Sequence, residues 1–97
     1  MTRKETLERA AECVTGQREE DYGSPEDSFE TIAGFWRGYL EAAGNGTAID
    51  GHDVAMMMAL LKAARIAHGG TPDSYVDLAG YAACASELLR WKPEPKA

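Results

Sequence analysis

Several carboxylates stand at spacings that could build a cation site. In TPDSYVDLAGYA, Asp73 and Asp77 are four residues apart at the head of an apolar run. On a helix that spacing puts both on one face, with Cβ atoms roughly 5–6 Å apart, and like charges so placed destabilise a bare helix. The pair therefore asks for a cation or a basic partner, although an acid in a first turn is also an ordinary dipole partner. In SPEDSFE, Asp27 and Glu30 stand three apart with Glu26 beside them. Asp53 follows Asp50 at the start of the apolar run VAMMMALL, where it can serve unbonded helix N–H groups or act as a third carboxylate. Mg²⁺ takes only one or two protein carboxylates, with water and substrate phosphates completing its shell. Two acidic turns on packed helices could supply that. Their competing role is helix-start decoration, the better reading for Glu26 alone.

Cations and aromatics complete the set. Lys62 and Arg65 follow the apolar run three apart; they could neutralise Asp73 and Asp77 directly, or face substrate phosphates, which suits the planar fork of Arg. In QREEDYG, Tyr22 could close over the core or stack on a base, and Arg18 could pair Glu19 or Glu20 or contact phosphate. His52 and His68 show no zinc-ligand spacing and read as surface residues at helix ends. Trp36 and Tyr39 lie in an apolar stripe and read as core. Phosphate-loop, dinucleotide, nucleophile-elbow and CxxC motifs are all missing.

Four helices are legible from their punctuation. Thr2 and Glu5 fit a capping box, Leu7, Ala10, Ala11 and Val14 recur at helical spacing, and Gly16 interrupts after Thr15. Ser24-Pro25 starts a second helix whose stripe is Phe29, Ile32, Ala33, Trp36, Tyr39 and Leu40, with GNG ending it. Asp50 caps a third, apolar on all sides over 54–61 and therefore expected to be central and buried, stopped by Gly69-Gly70. Thr71-Pro72 opens a fourth, with a surface of small residues (Ala79, Gly80, Ala82, Ala83, Ala85), ended by Pro93 and Pro95.

No segment alternates like a strand. The expected architecture is a single all-α domain over 1–97, a compact four-helix bundle with a frayed tail at 92–97. The apolar coverage of the third helix exceeds what one small bundle needs, which points to a homo-oligomer, dimer or tetramer, sharing helical faces.

Bulk numbers bound the rest. The chain has 97 residues and a formal net charge of −6, so it repels a phosphate backbone and is not expected to bind a nucleic acid polymer. Cys13 and Cys84 each sit in a helical run and read as two buried thiols in a reducing compartment. The start MTRKETLERAA has no signal-peptide core, and the longest apolar run is too short to span a bilayer. A cytoplasmic protein with no membrane contact is expected.

The succession REEDYGSPEDSF, IAGFW, DVAMMMALLKAARIAHG and DSYVDLAGYA, covering roughly Leu7 to Leu89, resembles a family of small phage and prophage proteins of uncharacterised-domain type. That family is similar, more distantly, to the all-α nucleoside triphosphate pyrophosphohydrolases of the MazG kind. Those enzymes hold Mg²⁺ with an EExxE motif on one helix and an ExxD motif on a later one. Glu26-Asp27-x-x-Glu30 looks like the first, with Asp in second place. Asp73-x-x-x-Asp77 could stand for the second, with spacing one longer and Asp in place of Glu. The resemblance implies a MazG-like bundle that hydrolyses a nucleoside or deoxynucleoside triphosphate to monophosphate and pyrophosphate, tuning a phage's nucleotide pool in the host cytoplasm. It implies Mg²⁺ on Asp27, Glu30, Asp73 and Asp77, with Glu30 and Asp77 catalytic, and Asp53 joins them as the third carboxylate that the residues themselves offer. Arg18, Tyr22, Lys62 and Arg65 would then meet the nucleotide. The alternative is a catalytically inactive helical interaction module of phage origin, in which the acids cap helices and pair with Lys62 and Arg65.

Overall fold

In the computed structural model, residues 1–16 and 25–89 are described, with side chains for 1–16 and 27–89. Arg18, Tyr22, the Ser24 cap, the side chain of Glu26 and the tail at 92–97 lie outside the described residues. The described residues form four helices and no strand: α1 Arg3–Thr15, α2 Pro25–Ala42, α3 Gly51–Ala67 and α4 Pro72–Leu88.

The helix ends follow local chemistry. Thr2 Oγ1 accepts from Glu5 N at 3.1 Å while Glu5 Oε1 accepts from Thr2 N at 3.2 Å, a full capping box. The Thr2 side chain and then its backbone N–H hold the Glu5 carboxyl below its ordinary value of 4.5. Asp50 and Asp53 build the same box on α3, with reciprocal bonds of 3.0 and 3.1 Å. α2 and α3 run out into Gly44 and Gly69, whose φ of 83° and 87° only glycine adopts without strain. Pro25 and Pro72 each stand at a first helical position, where the missing N–H costs no bond. Thr71 occupies the N-cap of α4 by backbone geometry, but its side chain makes no capping bond.

α3 and α4 form the closest pair and run antiparallel; α1 lies on α4, and α2 lies on α3 and touches α4. Gly80 lets α1 approach: a Cβ there would sit 3.1 Å from Val14 Cγ1. Phe29 of α2 meets Tyr81 of α4 edge to face, with ring centroids 6.2 Å apart. The buried cluster is Ala55, Cys84, Ala85 and Leu88, with Val14 and Phe29 packed against it.

This core is narrower than the sequence led us to expect, and several expectations are corrected. Val54, Ala55 and Ala59 are buried, but Met56, Met57, Leu60 and Leu61 are exposed, because α2 and α4 cover only one side of α3. Tyr39 is 73% exposed: α2 turns Ala33 inward and carries Tyr39 onto its flank. Leu7 and Ala11 face outward while Ala10 and Val14 do the packing, since α1 rests on α4 along a single line. Cys13 is exposed for the same reason, and Cys84 alone is buried. On α4 the small-residue seam narrows to Gly80 and Ala85, with Ala82 and Ala83 exposed.

Candidate functional site

The acids fall at two stations along α3. At its N-terminal end, Glu30 Oε1 accepts from Gly51 N at 2.7 Å, tying α2 to the first turn of α3. Glu30 thereby satisfies an N–H that has no partner within the helix and places a negative charge at the positive end of the dipole. Gly51 is buried beneath it, and a Cβ there would fall 2.7 Å from that oxygen and 3.2 Å from the Glu30 backbone N. Asp53 is held next to Glu30's station by the capping box. Asp27 is exposed, half a turn to a turn earlier on α2.

The second station lies near the C-terminal half of α3. Lys62 Nζ sits 3.0 Å from Asp77 Oδ2, joining α3 to α4, with the lysine side chain 19% exposed and the aspartate 39%. The sequence offered Arg65 as an equal partner. Lys62 holds this place because it projects toward α4, whereas Arg65 is exposed. Asp73 belongs to neither: Arg9 of α1 donates to its Oδ1 at 3.2 Å, both side chains being more than half exposed. The cation that answers Asp73 thus comes from α1, a source that spacing along the chain cannot show.

Gly51 and Lys62 are eleven residues apart on α3, about 16 Å along the axis at 1.5 Å per residue. Glu30 and Asp77 therefore stand at separate stations. What links them is the Phe29–Tyr81 contact. Phe29 lies between Asp27 and Glu30 in sequence, and Tyr81 is one helical turn beyond Asp77. The acidic turn of α2 is therefore seated against α4 directly, with no helix interposed.

The first turn of α3 also gathers a cluster that zinc spacing rules do not reveal. Ligand atoms of Asp50, His52 and Asp53 lie within 4.8 Å of one another, and His52 Nδ1 is 3.9 Å from Asp53 Oδ1. His52 is half-buried, not the surface residue its loop-like position suggested. Both carboxylates already serve the capping box, which accounts for the cluster structurally. The signal in the sequence is DGHD, an acid on either side of the histidine at a helix start.

Fold and site together define an all-helical module with acidic turns on adjoining helices, one of them answered by a lysine. The chain belongs to the family described as a domain of unknown function (DUF6378), which matches residues 5–89. It is similar to the Gene 55 protein of Mycobacterium phage D29, 40% identical over 83 residues, covering 84% of this chain and 52% of that protein. It is equally similar to the Gene 55 protein of Mycobacterium phage L5, 40% identical over 83 residues, with 84% and 51% covered. The chain thus spans about half the length of these curated relatives. No solved structure matches. Among the described residues, no helix is long and apolar enough to cross a membrane.

Proposed function

We propose that the chain is a Mg²⁺-dependent pyrophosphohydrolase of a nucleoside or deoxynucleoside triphosphate, working on the phage nucleotide pool in the host cytoplasm. The observation that carries this reading is the Phe29–Tyr81 contact, which seats the Asp27–Glu30 turn against the helix that bears Asp77. The donors are carboxylate oxygens, the hard ligands Mg²⁺ prefers, and one or two of them suffice, so the set fits that ion. At the first station Asp27 and Glu30 would hold Mg²⁺, with Asp53 behind Glu30, and at the second Asp77 would hold it, with Asp73 at the rim; when bound, the ion clamps phosphate oxygens and makes an attacking water more acidic. Lys62, beside Asp77, offsets phosphate charge, and Arg65 extends that basic edge. Arg18 and Tyr22 are assigned to the nucleotide from the sequence alone. Water attacks the α-phosphorus, the bond to the α–β bridging oxygen breaks, and pyrophosphate leaves.

The test is a panel of ribo- and deoxyribonucleoside triphosphates with Mg²⁺, with pyrophosphate release read by a coupled phosphate assay and folding checked by circular dichroism. Release that Asp77→Asn abolishes supports the reading. A folded protein that releases none from any triphosphate sinks it.

A second reading rests on a specific observation: Glu30, Asp53, Asp73 and Asp77 each have a structural partner, in Gly51, Asp50, Arg9 and Lys62. In that reading the module is a catalytically inactive helical interaction protein. It requires that Mg²⁺, with or without nucleotide, leaves the wild-type melting temperature unchanged.

A further inference from the structure

We infer that the exposed face of α3 is a two-fold interface with a second copy of this chain, the two α3 helices lying antiparallel and centred at the level of Ala59. Met56, Met57, Leu60 and Leu61 recur at the i, i+1, i+4, i+5 spacing of one helical face. They are 42%, 46%, 65% and 43% exposed, so together they present the surface of about two fully exposed large side chains. The other side of α3, which carries Ala55 and Ala59, already forms the core, so no rotation of α3 could bury both sets within one chain.

Two further observations select a second copy as the occupant. The first is area. The chain's own core is built mainly of alanine, and its largest fully buried side chains are Leu88 and Val54. Specific interfaces bury roughly 600–1,000 Å² per partner, and the four exposed side chains supply the apolar centre that such a contact needs. Its apolar centre and charged ends match the usual anatomy of core and rim.

The second is charge. α3 carries Asp53 at its N-terminal end and Arg65 near its C-terminal end. Arg65 is exposed and makes no ion pair with a described residue of its own chain. An antiparallel pair centred at Ala59 sets Asp53 of one copy opposite Arg65 of the other, twice. A two-fold axis requires that kind of self-complementarity. It also sets Met57 against Leu61. A parallel pair would instead stack like charges.

The inference does not depend on hydrolysis: it takes Arg65 and Asp53 for the interface in place of the roles the hydrolase reading gives them, and its test is oligomeric state and register in the full chain. Sedimentation at tens of micromolar is expected to give twice the chain mass of 10.5 kDa; a monomer overturns the inference. In a Cys13→Ser background, Leu60→Cys lies near the axis and is expected to form a disulfide-linked dimer on mild oxidation. His68→Cys is not, because its two copies lie about 27 Å apart along the helices. Both variants cross-linking indicates a parallel pair, and neither cross-linking indicates another surface; either result overturns the proposal. Arg65→Glu is expected to raise the dimer Kd roughly tenfold by losing two rim pairs of about 0.5–1 kcal/mol each. An unchanged Kd overturns the register.

Discussion

Replacing Asp77 by Asn keeps the side chain's shape and one oxygen acceptor but removes the charge that Lys62 meets at 3.0 Å. The size of the effect follows from exposure. Fully exposed pairs contribute about 0.2–1 kcal/mol, because solvent and salt screen them. Removing one partner of a fully buried pair costs about 3–5 kcal/mol, because the other charge is stranded. Here Lys62 is 19% exposed and Asp77 39%, so the pair lies between those limits and nearer the first. We expect Asp77→Asn to cost about 1–2 kcal/mol, a fall of roughly 5–12 °C in melting temperature for a domain of this size. The assay is thermal unfolding followed at 222 nm for the wild type, Asp77→Asn, Lys62→Met and the double variant. The double-mutant cycle is expected to return a coupling of about 1 kcal/mol. Repeating the series with Mg²⁺ separates the two functional readings. The hydrolase reading requires a Mg²⁺-dependent rise that Asp77→Asn abolishes, whereas the structural reading requires the same loss at every Mg²⁺ concentration. A coupling below about 0.3 kcal/mol, near the error of such cycles, would refute the claim that this pair joins α3 to α4.

Asp73→Asn breaks a more exposed pair and is expected to cost under about 1 kcal/mol, less than Asp77→Asn, by the same melting assay. Gly51→Ala drives a methyl toward Glu30 and its backbone and is expected to cost about 1–2 kcal/mol in urea unfolding, outweighing any gain in helix propensity. The Glu5 carboxyl, held low by Thr2, contributes stability above its ordinary value of 4.5 that is lost as pH falls through its lower folded value. An NMR titration of Glu5 should therefore show a midpoint below 4.5, and Thr2→Ala should move it back up.

Local chemistry is what the sequence determined by itself. The Thr2–Glu5 and Asp50–Asp53 boxes, the two prolines at first helical positions and the glycine stops depend on residues within one turn of each other. Each is found where the sequence indicates. The helical class and the main candidate acids follow from those same short-range rules. Side-chain partnership depends on which helices meet, and that was decided by the tertiary structure. Arg9 and Asp73 are 64 residues apart, and nothing in their local sequence couples them. Lys62 and Arg65 differ by three positions on one helix, and only the packing of α4 selects Lys62 for Asp77. Glu30 finds Gly51 because Gly51 has no side chain to hold α2 away. The most apolar helix is also the one whose burial a sequence pattern cannot assign. Hydrophobicity on every side of α3 gives no sign of which face is covered, and the packing of α2 and α4 buries only one of them.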